Sequence, residues 1–107
     1  MIRAGSMVIV YLRDPRERIW GILRALDLSG LSMEGFAVDS FDAWLRAVEG
    51  GADAREGMSV VFFPMQRVER VLLDRGSREI PSLSERFQAR LGMSVADYLG
   101  PGPEERS

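Results

Sequence analysis

Apolar residues along this chain follow two periodicities, and the places where one gives way to the other mark out its elements. Met7 to Leu12 (MVIVYL) is a β-branched run of strand length. Arg18 to Leu26 (RIWGILRAL) alternates, with Trp20, Ile22 and Leu26 on one face and Ile19, Leu23 and Ala25 on the other. Arg24 interrupts the first face, and Gly21 in the middle argues against a helix. Leu31, Met33, Gly35 and Ala37 alternate with Ser32, Glu34, Phe36 and Val38, which predicts a third strand. Glycines inside strand patterns, here Gly21 and Gly35, point to bulges or bends where a small sheet curls.

The period then changes. Phe41, Trp44, Leu45 and Val48 fall at i, i+3, i+4 and i+7, one stripe of an amphipathic helix capped by Asp39 or Ser40 and ended by Gly50-Gly51. The densest apolar stretch, Met58 to Asp74, follows a polar connector. Within it Val60-Val61-Phe62-Phe63 predicts a fourth strand that Pro64 stops, because proline has no N–H for a ladder. Pro64 to Arg67 then reads as a tight turn into a fifth strand, Val68 to Leu73. A helix over Met65 to Leu73 is the rival reading, since Met65, Val68, Val71 and Leu72 also fit helical spacing. Ser82-Leu83-Ser84-Glu85 is a capping-box pattern opening a helix to about Leu91, and Ser94 with Asp97 repeats it in miniature. The expected fold class is α+β: a small five-stranded curled sheet or barrel with an inserted helix and a C-terminal helical hook. Residues 1–6 are expected to be a flexible N-terminus, residues 7–99 a single domain and residues 100–107 a disordered tail.

Composition narrows the chemistry. At 107 residues, 46% apolar and 28% charged, the chain suits one globular domain. It has neither cysteine nor histidine, so disulfides and thiolate metal sites are excluded, and the commonest general base and metal ligand are missing. All 14 basic residues are arginine and the net charge is −2, which gives no global pull toward nucleic acid. No apolar run approaches the ~20 residues of a membrane span, and no signal-peptide pattern opens the chain, so a cytoplasmic protein is the expectation.

Candidate sites meet the same limits. The carboxylate pairs Asp39/Asp42 and Asp27/Glu34 have the residue types of an acid–base pair or a Mg²⁺ site. Asp39 and Asp42, however, fall in the first turn of a helix, where negative charge complements the dipole. The serines 29, 32, 40, 82, 84 and 94 occupy turns and caps. No catalytic residue, metal or cofactor is assigned. Arg13, Arg16 and Arg18 fall in one turn, and Arg67, Arg70, Arg75 and Arg78 around the fifth strand. Each group is interleaved with Asp or Glu (Asp14 and Glu17; Glu69, Asp74 and Glu79), as on a solvated, partly paired face.

Val8-x-Val10-x-Leu12, then Gly21-Ile22-Leu23 and Asp27, resembles the first motif of the Sm-like (Hfq/LSm-type) family of small β-barrels. Gly30-Leu31-Ser32-Met33-Glu34-Gly35, followed by Ser40-Phe41-Asp42, resembles a strand and turn of the same family in a different register. Val61-Phe62-Phe63-Pro64, with Val68 and Val71, looks like its last strand pair. The resemblance covers about residues 7–73 and implies an SH3-like or Sm-like barrel, with RNA binding as a homo-oligomer in the family. Two departures stand against the RNA reading. Phe63-Pro64-Met65-Gln66-Arg67 replaces the family's basic-aromatic contact signature, and the Phe41–Val48 helix is foreign to the plain barrel. Asp27-Leu28-Ser29-Gly30-Leu31 also looks like half of the PilZ signature for cyclic-di-GMP. Its glycine comes two residues early, and the upstream Arg-x-x-x-Arg is missing.

These readings favour a non-catalytic protein-interaction module, a subunit or adaptor of a bacterial regulatory complex, that binds another protein or its own copies. Its expected surface runs from Phe41, Trp44 and Leu45 to Phe63, Pro64, Met65, Gln66 and Arg67, since aromatics and arginine anchor interfaces. The alternatives are an Sm-like RNA binder using Arg67 and Arg70 and, more remotely, a PilZ-like cyclic-di-GMP binder.

Overall fold

A computed structural model describes residues 1–76 and 81–99 of the chain. Five antiparallel strands follow the predicted order: β1 (Met7–Leu12), β2 (Glu17–Leu26), β3 (Gly30–Ala37), β4 (Ser59–Pro64) and β5 (Val68–Leu73). Helix α1 (Phe41–Glu49) is inserted between β3 and β4, and α2 (Leu83–Leu91) and α3 (Val95–Leu99) follow β5. The strands form one curled sheet in the order β4-β3-β2-β1-β5. β1 to β4 form a meander, and β5 returns to pair with β1, Val10 opposite Val71. A single 3₁₀ turn over Met65–Arg67 joins β4 to β5, so the helix considered for Met65–Leu73 does not form. The reason is local: Pro64 keeps an extended backbone, and β1 offers Val68 to Leu73 a full ladder.

Strand alternation sorts the apolar residues into two cores on opposite faces of the sheet. The concave face buries Val8, Val10, Leu12, Ile19, Leu23, Leu31, Met33 and Val68, with Val61, Phe63, Val71 and Leu73 packed at its margins. The other face carries Trp20 and Ile22 from β2 and the partly buried Ile9 and Phe36. Phe41, Trp44, Leu45 and Val48 of α1 cover it, together with Phe87, Val95 and Leu99 of the two last helices. Its centre is aromatic. The Trp20 ring lies 5.1 Å from Phe41 in an edge-on contact, and Trp44 stacks on Phe87 at 5.4 Å. The Trp44 indole N–H donates to the Ala54 carbonyl at 2.9 Å.

Of the bulges or bends expected at Gly21 and Gly35, the bulges do not form. Gly21 and Gly35 lie opposite each other in the ladder, and the register shift falls further on, between Leu23 and Ala25. A Cβ on Gly21 would stand 2.1 Å from the Glu34 carbonyl oxygen, and one on Gly35 would stand 2.0 Å from that of Trp20. They mark a close approach of two backbones where the sheet curls. Residues 1–6, expected to be a flexible segment, make contacts with the sheet. The Gly5 N–H donates to the Leu23 carbonyl at 2.7 Å, the Leu23 N–H donates to that of Ser6 at 2.9 Å, and Ile2 packs on the concave core. The end of β2 supplies the free backbone groups that hold this segment. The tail over 100–107, and Arg78 and Glu79, lie outside the described residues.

Helix α2 starts as its sequence predicts. The Ser82 hydroxyl accepts from the Glu85 N–H at 3.0 Å, and the Glu85 carboxylate accepts from the Ser82 N–H at 2.8 Å. Gly92 closes the helix in the left-handed conformation, φ 81°. The α1 start departs from expectation: a 3₁₀ turn over Val38–Ser40 leads into the helix, and Ser40 makes no side-chain cap bond.

Candidate functional site

With helices covering one face of the curled sheet and a second apolar core filling the other, exposed apolar side chains become informative. Val60 and Phe62 of β4 are 58% and 54% exposed. Both point away from the concave core that receives Val61 and Phe63, as alternation along a strand requires. Their cross-strand neighbours on β3 are Glu34 and Ser32. Glu34 marks where the helical cover ends, because it is buried while Val60 beside it is not. The Phe62 ring lies over Gly30, where an added Cβ would come within 2.6 Å of its Cζ. β4 is the outermost strand and carries no charged residue from Ser59 to Pro64. Edge strands are ordinarily blunted by charge or proline. Here only Pro64, at the far end, does so.

The turn after β4 is packed down. Phe63 and Met65 lie against the concave core, while Gln66 is exposed. Arg67 reaches across to the β1–β2 turn. Its Nε donates to the Arg13 carbonyl at 2.7 Å, and its Nη2 donates to the Pro15 carbonyl at 3.1 Å and to Glu17 Oε1 at 2.9 Å. That turn contains Asp14 with a φ of 53° and a cis Asp14–Pro15 peptide. The Arg70 guanidinium sits 4.3 Å above the Tyr11 ring. A shallow groove beside it is lined by Tyr11, Leu12, Arg16, Glu17, Arg18, Asp39, Glu69 and Arg70, three arginines against three carboxylates. It offers no net positive charge to a phosphate chain.

The expected partner surface is thus divided by the structure. Phe41, Trp44 and Leu45 are buried, Trp44 at 7% exposure, so they present no face to a partner. A helical apolar stripe reads alike whether it faces the chain's own sheet or a second protein. Here α2 and α3 supply the cover. Phe63, Pro64, Met65 and Arg67 are half-buried at the margin of the other core. On the β4 edge the exposed apolar side chains are Val60 and Phe62, beside the exposed Gln66 of the turn. The signal for Val60 and Phe62 was an alternating, uncharged strand in which one face had to lie outside.

The carboxylate pairs do not form acid–base sites. Asp39 faces Arg18 at 3.7 Å, and Asp42 pairs with Arg86. Asp27 closes the β2–β3 turn, its Oδ1 accepting from the Ser29 hydroxyl at 2.6 Å and the Ser29 N–H at 2.8 Å. These bonds, the Ser29 hydroxyl first, together with the Gly30 N–H, hold its carboxyl below the usual Asp range. The Asp27-x-Ser29 part of the half-signature noted above is therefore engaged within its own turn.

Glu34 is the buried charge that the alternation pattern concealed. Its carboxylate accepts from Arg24 Nη2 at 2.9 Å and Arg55 Nη1 at 2.5 Å. Arg55 also donates to the Leu99 carbonyl, through Nε at 3.2 Å and Nη2 at 3.0 Å, and so ties the end of α3 to the sheet. Asp74 makes a similar anchor. Its Oδ2 accepts from the Trp20 indole N–H at 2.9 Å, the Ser84 N–H at 2.7 Å and the Ser84 hydroxyl at 2.6 Å. Both clusters join helices to the sheet. Among the described residues no group of three or more acidic side chains gathers as a metal would require, and no helix is long and apolar enough to cross a membrane. Comparison with protein-family models, curated proteins and solved structures gave no match to this chain.

Proposed function

We propose that this chain is a non-catalytic protein-interaction module, a subunit or adaptor of a larger assembly, which binds its partner by strand addition at β4. The observation that carries this reading is an outermost strand without charge whose Val60 and Phe62 are more than half exposed. Strand addition draws affinity from main-chain hydrogen bonds and specificity from alternate side chains, and β4 presents both. The meander of four strands, with β5 returning to β1 after one 3₁₀ turn, supports an Sm-like or SH3-like barrel as the scaffold. RNA binding gains less support, because Arg67 is held by Arg13, Pro15 and Glu17, and Arg70 stacks on Tyr11.

The test compares binding of the natively co-purifying partner by wild type, Phe62→Lys and an Arg67→Gln/Arg70→Gln control. The expected outcome is weak dependence on salt and at least a tenfold loss with Phe62→Lys alone. Affinity that falls steeply with salt and follows the arginines would mark phosphate contacts and overturn the reading.

A further inference from the structure

We infer that the occupant of the β4 edge is a second copy of this chain, paired antiparallel about a two-fold axis through Val61. This rests on the strand-addition reading and names its partner. The backbone sets the geometry. The Met65 N–H donates to the Ser29 carbonyl at 2.9 Å, one step beyond the Gly30–Pro64 pair of the β3–β4 ladder. Bonded and non-bonded pairs alternate along an antiparallel ladder. Val61 and Phe63 therefore spend their backbone groups on β3, and Val60 and Phe62 turn N–H and C=O toward the open edge. An axis through Val61 sets Val60 of one copy opposite Phe62 of the other, twice over. Each such pair exchanges two backbone bonds and places a β-branched side chain against an aromatic one, a favourable cross-strand combination.

Charge selects this arrangement over a head-to-tail one. β4 is uncharged from Ser59 to Pro64, so its own copy meets it without burying an ion. The other margin of the sheet, β5, carries Glu69 and Arg70, both exposed, in the manner of a guarded edge. The two-fold pairing also closes on itself, whereas β4 on β5 would propagate to a ring or filament.

The contact is one short strand edge, so association is weak and is read by sedimentation equilibrium from about 10 µM to 1 mM. The expected mass climbs from that of the 12.0 kDa chain toward twice that value. Phe62→Lys should stay monomeric throughout with an unchanged melting temperature. The chain has no cysteine, so Val61→Cys introduces a single reporter at the axis. Non-bonded antiparallel partners stand about 4.5 Å apart at Cα, within disulfide range. Mild oxidation should therefore link Val61→Cys into a dimer and leave a Leu72→Cys control unlinked. Wild type that remains monomeric at 1 mM overturns the self-pairing, as do higher oligomers in which Val61→Cys fails to link. Amide exchange separates the two readings in the monomeric case. Fast exchange at Val60 and Phe62 leaves strand addition by another protein standing, whereas slow exchange removes both.

Discussion

Glu34→Ala should be among the most damaging single substitutions in this protein, although it removes no apolar packing. The Glu34 side chain is 4% exposed, and the Arg24 and Arg55 side chains that grip it are 14% exposed each. Deleting the carboxylate leaves two guanidinium groups facing each other in a largely water-excluded place. Breaking a buried ion pair from one side costs about 3–5 kcal/mol, because the remaining charge is uncompensated. Against a total stability of roughly 5–15 kcal/mol this is a large share. For a domain of about 100 residues it lowers the melting temperature by at least about 12 °C. The two arginines should not be equivalent. Arg24 Nε is buried without a partner among the described residues, whereas Arg55 also holds the Leu99 carbonyl with two bonds. Arg55→Met should therefore cost more than Arg24→Met. Urea unfolding of the three variants, with wild type as reference, gives the comparison. A loss under about 1 kcal/mol for Glu34→Ala, the scale of an exposed ion pair, would mean that the cluster is screened by solvent and contributes little to stability.

Two further outcomes are expected. Trp44→Ala should cost about 3–5 kcal/mol by thermal or urea unfolding, as for a buried aromatic, while Phe62→Ala should cost about 1 kcal/mol or less; the reverse order would mean that helix and edge have exchanged roles. Asp27 has a carboxyl held below its ordinary value by the Ser29 and Gly30 bonds, so its contribution is present above the unfolded carboxylate range, about pH 4, and is lost as pH falls through the lowered value. Asp27→Asn should flatten that acid limb in melting temperature against pH, and an unaltered limb would show that the turn does not report on folding.

Much of the fold was legible because local signals were strong and agreed with one another. Met7–Leu12, Val68–Leu73 and the Ser82/Glu85 box appear where composition and spacing placed them. What the sequence withheld was direction. Alternation told that Ser32, Glu34 and Phe36 share a face of β3, but a glutamate in that pattern reads as solvent-facing. Its burial depends on Arg24, ten residues back, and Arg55, 21 residues ahead. The stripe on α1 was equally mute about what it met. Phe87 stacks on Trp44 where Asp74 ties the start of α2 to Trp20, a link spanning 54 residues, and Arg86 and Arg90 pair with Asp42 and Glu49 of α1. Gly21 and Gly35 each looked like a bulge or bend alone, and their meaning lies in being opposite each other.

The same anchors explain why the candidate surface lies at β4 and not elsewhere. Asp74 binds Trp20 and Ser84, and Arg55 binds Glu34 and Leu99, so α2 and α3 are held over β1, β2 and the near half of β3. The cover stops at Glu34, whose carboxylate forms the last polar seal before Val60. Beyond that line no helix, charge or turn among the described residues shields β4, while on the opposite margin Arg70 lies across Tyr11 and Glu69 stands in solvent. Extending the helical cover by one more strand would bury Val60 and Phe62 and stabilise the monomer by about 25 cal/mol for each Å² of apolar surface removed from water. Among the described residues β4 exposes Val60 and Phe62 without a charge, whereas β5, which exposes Leu72, carries Glu69 and Arg70 beside it. Strand addition at β4 supplies a physical reason for that difference.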